Sequence, residues 1–219
     1  AGLTNLGTDL SDDHPVSFAY TSALAASDRQ LADPHSLPPV VRLDAAGDMQ
    51  CTSCHDPHDN SNGDFLVLTE EFGQLCTACH QMNGWNSSSH ETSAASTSSA
   101  GTGEWPFDSV AQNACRSCHR PHTAGGAERL LIVRQEEDNC LRCHDGTVAR
   151  TNIASEIVKL RAHDPTGFLD IHDPAESATP SQAHVECTDC HNPHATQPVS
   201  QSTGYVPIGP TLMGSPGVT

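Results

Sequence analysis

The sequence predicts a chain that is mostly coil, with a few short α-helices and little or no β-sheet. Its 219 residues include 15 Pro and 16 Gly, which interrupt helices and strands. Only 36% of the residues are hydrophobic and 4% are aromatic, which is poor material for a conventional apolar core. The chain also has ten Cys and 14 His, and this enrichment suggests that something non-peptidic supplies the core.

Charge and hydropathy exclude several classes of partner. The formal net charge is −17 with only 10 Lys and Arg, and nucleic acid needs a basic face. The longest apolar runs, Phe65–Leu68 and Leu130–Val133, are four residues long, whereas a membrane-spanning helix needs about 20. The opening AGLTNLGTDL has no Met and no charged-then-apolar leader, so we expect a secreted chain whose signal peptide has been removed.

Every cysteine lies in a C-x-x-C-H motif, the attachment signature of c-type haem. Two thiols on one helical turn add to the two vinyl groups of the porphyrin, and the next imidazole binds iron as the proximal ligand. The sequence therefore predicts five covalently bound haem c groups and no catalytic residues. The cysteine pairs are Cys51 and Cys54, Cys76 and Cys79, Cys115 and Cys118, Cys140 and Cys143, and Cys187 and Cys190, followed by His55, His80, His119, His144 and His191.

Three other interpretations of the cysteines explain less. A disulfide framework and a zinc site both use C-x-x-C, but neither requires a histidine directly after it. Thioredoxin-like motifs occur singly rather than five times. With haem faces in place of Leu and Phe, the scarcity of apolar residues is explained, and we expect the chain not to fold without haem. Covalent attachment also places maturation outside the cytoplasm.

Nine histidines lie outside the motifs, a surplus for five irons. Iron with two His ligands is coordinatively saturated, whereas iron with one His keeps a position open for substrate. The surplus favours two His ligands at every iron and an electron carrier over a reductase. The nine are His14, His35, His58, His90, His122, His163, His172, His184 and His194.

The motifs form a repeat. Their first cysteines stand at positions 51, 76, 115, 140 and 187, so an interval of 25 occurs twice and the paired unit recurs after 64 residues. CTSCHDPH, FLVL and CTACH of the first unit match CRSCHRPH, LLIV and CLRCH of the second, and the 64-residue period pairs Leu66 with Leu130. CTDCHNPH at 187–194 is half of a third unit.

The x-P-H extension of each unit supplies a second histidine. Proline makes it hard for the chain to curl back to the same iron, so this histidine should reach a neighbouring haem. We expect His58 to reach the haem of the second motif and His122 the haem of the fourth. His194 has no following haem in its own chain, so it is either spare or a ligand in another protomer.

The remaining histidines are assigned less directly. We expect distal ligands at His14, His58, His90, His122 and His184. His163, His172 and His194 stay open as distal or intersubunit ligands. His35, in ADPHSLPP, is predicted to be a surface residue.

Composition divides the chain into six segments. Residues 1–50 supply distal ligands, 51–86 and 115–150 are the paired units, and 87–114 is a Ser/Thr-rich linker. Residues 151–196 hold the fifth motif, and 197–219 form a C-terminal arm that could contact another subunit. Helices are predicted at 69–80, 133–144 and 152–161, the last capped by Asn152 with Ile153, Ile157 and Leu160 on a face that packs against haem.

Paired units with the x-P-H extension resemble the doubled-motif multihaem cytochromes. The stretches NLGTDLSDDHPVSF and HVECTDCHNPHA are similar to secreted cytochromes of metal-reducing bacteria, in particular the filament-forming nanowire cytochromes of the OmcE and OmcS type. The resemblance covers most of residues 6–195. It implies five haems stacked in a continuous chain, two His ligands throughout and extracellular electron transport. It also implies a homopolymer in which a histidine of one subunit, such as His194 or His14, ligates a haem of the next.

Three functions remain at this stage. The first is a polymerising extracellular conduit that passes electrons to other redox proteins or external acceptors. The second is a periplasmic pentahaem shuttle whose acidity steers it to a basic patch on a reductase. The third is a multihaem reductase, which needs an iron with an open face, often with Lys in place of the motif His. All five motifs here end in His, which favours the first two.

Overall fold

The structure, a computed structural model, describes residues 6–100, 105–126, 129–160, 165 and 186–196. This part of the chain is mostly coil and turn, which confirms the predicted class. Two short strands, β1 (Phe18–Ala19) and β2 (Asp48–Met49), pair antiparallel with Phe18 opposite Met49. Eight α-helices occur in the described ranges, and none is long and apolar enough to cross a membrane. They are α1 (Ser22–Asp28), α2 (Cys51–Cys54), α3 (Gln74–Thr77), α4 (Ser89–Thr92), α5 (Val110–Asn113), α6 (Glu136–His144), α7 (Ala154–Ile157) and α8 (Cys187–Cys190).

Short 3₁₀ turns connect several of these elements. They lie at Pro34–Ser36, Glu71–Gly73, Trp85–Ser87, Thr97–Ala100, Ala114–Ser117 and Pro193–Ala195.

The helices are shorter than the sequence predicts. α6 ends at His144 as expected, but α3 is a single turn because Phe72 and Gly73 take positive φ values of 57° and 68° and break the helix before it. Near α7, Asn152 Oδ1 accepts the main-chain N–H of Ser155 at 2.9 Å, as predicted for a cap. The face expected to pack is open, however, since Leu160 is 95% exposed.

The repeat is visible in the backbone. In the first unit His55 forms an antiparallel bridge with Leu66, and in the second His119 forms the same bridge with Leu131. The structural equivalent of Leu66 is therefore Leu131 and not Leu130 as the motif spacing indicated. One residue is inserted between the C-x-x-C-H motif and the apolar strand-like run, a shift that spacing alone could not locate.

The Ser/Thr-rich segment is packed, although its composition predicts a linker. Val110 N–H donates to Ala95 O at 3.0 Å, and Thr97 N–H donates to Asp108 O at 2.9 Å. Between them Asn113 is fully buried, and its side-chain amide bonds the N–H of Phe107 and the carbonyl oxygens of Phe107 and Ser109 at 2.7–3.1 Å. These hydrogen bonds join the two halves of the segment, and Trp105 Nε1 donates to Ser117 O of the second unit at 3.3 Å.

Two terminal segments dock on the paired units. Near the N-terminus, His14 N–H donates to Pro121 O at 2.7 Å, and Asp12 O accepts from Ala124 N–H at 2.9 Å. Near the other end, Thr196 O accepts from Ser89 N–H at 2.6 Å. Gly84, at φ 84°, lets that turn approach, because a Cβ there would lie 2.6 Å from the Cβ of Ala195. Histidines of both docked segments thus reach the interior.

Replacing Asn113 tests this polar core. Asn113→Ala leaves the main chain at Phe107 without its partners, so we expect the free energy of unfolding to fall by about 2–3 kcal/mol. Thermal denaturation followed by circular dichroism measures the change. Asn83→Ala, at an exposed position, is the matched control and should melt with the native protein. Equal melting of the two variants would contradict a structural role for the segment.

Candidate functional site

Each motif is built on one tight turn. His55 N–H donates to Cys51 O at 3.0 Å, and the same bond recurs at His80, His119 and His191 at 2.8–2.9 Å. Two of the turns are also capped reciprocally, by Gln50 with Ser53 and by Glu186 with Asp189. The turn presents two thiols together and places the imidazole immediately after them. All ten cysteines lie in the described residues, and each is a free thiol.

Four motif histidines lie opposite a second histidine. Ring centroids are 6.2 Å apart for His55 and His122 and 6.1 Å apart for His119 and His194, with the rings near parallel at 29° and 8°. The ring centroids of His14 and His80 are also 6.1 Å apart, but these rings are near perpendicular at 77°. In the fourth pair, the rings of His90 and His144 are 6.2 Å apart at 76°.

This separation matches two ligands of one metal ion. An imidazole nitrogen binds a first-row metal at about 2 Å and lies about 1 Å from its own ring centroid, so two rings on opposite sides of one ion have centroids about 6 Å apart. Direct aromatic pairs also fall between about 4.5 and 7 Å, so it is the recurrence of one separation at four motif histidines that favours a shared ion. Each of the four pairs would hold one haem iron, with the motif histidine as one ligand and the facing histidine as the other.

Hydrogen bonds orient these rings. The Nδ1 atoms of four paired histidines donate to main-chain carbonyl oxygens at 2.8–3.0 Å, and this leaves Nε2 as the metal-binding nitrogen. The donors and acceptors are His14 and Pro15, His55 and Asp64, His90 and Pro193, and His119 and Arg129. His122 differs, because its Nδ1 donates to the carboxylate of Asp13 at 3.0 Å.

Desolvation favours the neutral form of five paired imidazoles, the form that binds a metal, by lowering their pKa values. Desolvation lowers the pKa of His194 to about 4. The same cause lowers the pKa of His14, His80, His119 and His144 below the usual range.

Consecutive motifs are neighbours in space. The thiol of Cys76 is hydrogen-bonded to that of Cys115, and this contact together with burial raises the pKa of Cys76 far above its usual range. Burial raises the pKa of Cys54 to about 11, with a further contribution from the nearby Cys79 thiol. Cys118 has a pKa of about 12 for the same reasons, burial first and then Cys143. Finally, Cys140 is hydrogen-bonded to Cys187. The thiols of motifs one to five thus meet in sequence order.

Buried polar contacts join the motifs where the paired units meet their neighbours. Arg116, in the third motif, donates to both carboxylate oxygens of Glu70, just before the second motif, at 2.6 Å. Glu136, just before the fourth motif, accepts from the N–H and hydroxyl of Thr188 in the fifth at 2.9 and 2.6 Å. Both carboxylates are shielded from solvent, at 14% and 5% exposure, which strengthens the bonds.

The residues present fit haem c. Paired thiols, a following imidazole and an opposed second imidazole are the groups that covalent haem with two axial histidines requires. A cavity of about 420 Å³ beside the second motif is lined by His80, Met82 and Trp85 among others, within the range of about 300–1,000 Å³ for cofactor sites.

The structure distributes the second histidines differently from the expectation. We number each site by its motif, so the sites of His55, His80, His119, His144 and His191 are the first to the fifth. We expected His58 to reach the second site and His122 the fourth. Instead, His14 faces His80, and His122 faces His55. His194, expected to be spare or intersubunit, faces His119 in its own chain. Each paired x-P-H histidine therefore faces the first motif histidine of the preceding unit and does not reach forward. Motif spacing does not predict this direction.

The other candidate ligands have three different outcomes. His90 faces His144. His35 is 88% exposed and bonded to Asp33, and His58 is 91% exposed and bonded to Asp56. His163, His172 and His184 lie outside the described residues, as does the C-terminal arm.

Sequence reasoning missed Asp13. It is buried beside His122, and its second oxygen, Oδ2, has no hydrogen-bond partner. Asp13 lies next to His14 in the sequence, but nothing in the motif spacing connects it with His122, 109 residues later. The main-chain carbonyls that orient the other rings carry no sequence signal at all.

Comparison with known proteins bears on the motifs. Residues 44–84 and 108–149 match the family described as "Doubled CXXCH motif". The chain is 26% identical over 162 residues to the multiheme cytochrome MtrA of Shewanella baltica (strain OS185). That alignment covers 68% of this chain and 36% of the relative, so the chain spans about a third of the relative's length. No solved structure matches. The resemblance to filament-forming cytochromes stays a prediction.

The number of haems can be counted by mass. Intact-protein mass spectrometry of the chain matured with its haem-attachment machinery should exceed the 23.2 kDa polypeptide by five haem masses. Replacing Cys187 and Cys190 by Ala should remove one of the five, because no thiol remains to hold it. Four haems in the native chain would contradict attachment at one of the motifs.

His194 can be tested as an axial ligand. His194→Gly should leave one haem of five able to bind carbon monoxide, seen in a difference spectrum, because the opposing ring is removed from His119. Added imidazole should suppress the signal. His35→Gly, at an exposed histidine, is the control and should bind no more gas than the native protein. A carbon monoxide spectrum of His194→Gly identical to the control would contradict the pairing.

Proposed function

We propose that this chain, whose paired units match the doubled-CxxCH family, is a pentahaem c-type cytochrome that carries electrons and polymerises into an extracellular conduit. When bound, each haem iron supplies a one-electron carrier that alternates between ferric and ferrous forms, and electrons pass from haem to haem. Cysteines hold these groups, histidines fix their irons, and no substrate bond is made or broken.

The opposed imidazole pairs carry the proposal of electron transfer. A site with two His ligands has no open position for a substrate, and its geometry changes little with oxidation state. Opposed rings at four sites favour a carrier over a reductase. The thiol contacts, from Cys54 and Cys79 to Cys140 and Cys187, support a continuous order of haems along the chain.

The repeat supports polymerisation, because among the described residues its rule leaves one histidine and one site unmatched. His122, of the second unit, faces the first site of unit one, and His194, of the third, faces the first site of unit two. By the same rule His58 belongs to a site before the first unit, and His191 needs a histidine from a unit after the third. Both are exposed, so His58 of one copy can ligate the iron at His191 of another.

His58 is prepared for such a bond. Its Nδ1 donates to Asp56 at 3.1 Å, and Nε2 is therefore the nitrogen that carries the free lone pair. The ring is 91% exposed, so no part of the chain has to move aside. A head-to-tail contact of this kind uses different surfaces on the two copies and extends without closing, which is the geometry of a filament.

The second candidate is a periplasmic pentahaem shuttle. The net charge of −17 favours it, because an acidic carrier is steered to a basic patch on a redox partner. In a monomer the iron at His191 takes its second ligand from its own chain, from His163, His172 or His184. The two candidates thus differ in where that ligand comes from.

Electron microscopy distinguishes the candidates. Negative-stain images of material sheared from cell surfaces, with a denaturing gel to identify the subunit, should show filaments of this chain. His58→Ala should prevent assembly and leave one haem of five able to bind carbon monoxide, whereas His35→Ala should do neither. Small uniform particles from the native chain, with no gas binding, would favour the shuttle and an axial ligand from within the chain.

A further inference from the structure

In the part of the chain that the structure describes, one carboxylate is hydrogen-bonded to a paired imidazole, and it sets the first site apart from the others. Asp13 Oδ1 accepts the Nδ1–H of His122 at 3.0 Å, and the other oriented rings donate to neutral carbonyl oxygens. We propose that Asp13 holds the reduction potential of the haem at His55 and His122 below those of the other sites. The inference rests on haem binding at this pair and is independent of polymerisation.

Burial makes the contact strong. The side chain of Asp13 is 5% exposed, and its only other contact from the same oxygen is the main-chain N–H of Thr123 at 3.2 Å. Oδ2 has no partner among the described residues. Among the described residues, only the imidazole proton and the longer bond from Thr123 N–H compensate the charge of this buried carboxylate, so it draws the imidazole proton strongly.

A carboxylate partner raises the basicity of a ligating imidazole. As Asp13 draws the Nδ1 proton, electron density at Nε2 of His122 rises, and the more basic nitrogen favours the more highly charged ferric ion over the ferrous ion. Hydrogen bonding to an axial ligand is one of the levers by which a protein sets a haem potential. A neutral carbonyl oxygen draws the proton less, so the rings of His14, His90 and His119 lack this effect.

The repeat explains why Asp13 comes from a distant segment. In the first unit Asp56 stands two residues before His58 and accepts its Nδ1–H locally. The second unit has Arg120 at that position, and a guanidinium has no acceptor. Asp13 supplies the carboxylate to His122 instead. The docked segment thus restores a contact that the local sequence of the second unit cannot make.

A lower potential at one haem affects the whole series of sites along the chain. The first motif stands at one end of the thiol contacts and the fifth at the other. A lower potential at His55 and His122 makes the two ends of the chain unequal.

Asp13→Asn tests the inference, because an amide oxygen still accepts the Nδ1–H while the charge is removed. In a spectroelectrochemical titration at fixed pH, the midpoint potential of one haem of five should shift upward and the other four should stay. Electron paramagnetic resonance of the ferric protein should show one altered signal. Asp12→Asn removes the same charge one residue away and should leave both measurements unchanged.

Two results would overturn the inference. In the first, the titration of Asp13→Asn superimposes on that of Asp12→Asn, so the charge at Asp13 has no specific effect. In the second, Asp13→Asn binds carbon monoxide at one haem, so the carboxylate only holds His122 in place. Carbon monoxide binding by more than one haem of the native protein, beyond the haem at His191, would instead signal a failure of the axial pairing itself, which separates that failure from an error about Asp13.

Discussion

Two imidazoles facing each other across about 6 Å are the constraint on which the rest of this molecule depends. Each motif fixes one ring within a single turn, but the opposing ring comes from a distant part of the chain: His14 for His80, or His194 for His119. Closing such a pair orders a long loop, and the loop-closure entropy has to be offset by bonds to the bound iron. A chain with 4% aromatic residues offers little else to offset it. The pairs therefore act as the long-range contacts that a hydrophobic core supplies in most domains.

The two docked segments each serve two sites. The N-terminal one presents His14 to the second site, and the adjacent Asp13 orients His122 at the first. At the other end, Pro193 O orients His90 at the fourth site, and the adjacent His194 faces the third. One backbone segment thus fixes ligands at neighbouring sites, and a displacement of the segment disturbs both. This coupling explains why the segments are held by main-chain hydrogen bonds and, at Gly84, by a close approach that only glycine permits.

The orientations of the paired rings repeat from the first paired unit to the second. At the first site of each paired unit the rings are near parallel, and at the second they are near perpendicular. First sites take their second ring from an x-P-H turn, and second sites take it from the segment before the unit. The source of the ligand therefore decides the ring geometry, and the duplication preserves it.

The sequence by itself determined the chemistry: the five motifs, the repeat, the class of mostly coil structure, and the general expectation that the second ligands are histidines. Those features are local, because one turn of chain holds two thiols and an imidazole, and Pro and Gly act on their own backbone. Only the tertiary structure decided which histidine faces which motif, that the x-P-H turn reaches backward, and that the Ser/Thr-rich segment is packed through Asn113. It also decided that Leu131 in the second unit is the equivalent of Leu66 in the first, and that Asp13 contacts His122. The histidine pairing depends on how segments about 100 residues apart dock, in part through main-chain hydrogen bonds such as that from His14 N–H to Pro121 O, which leave no pattern in the sequence.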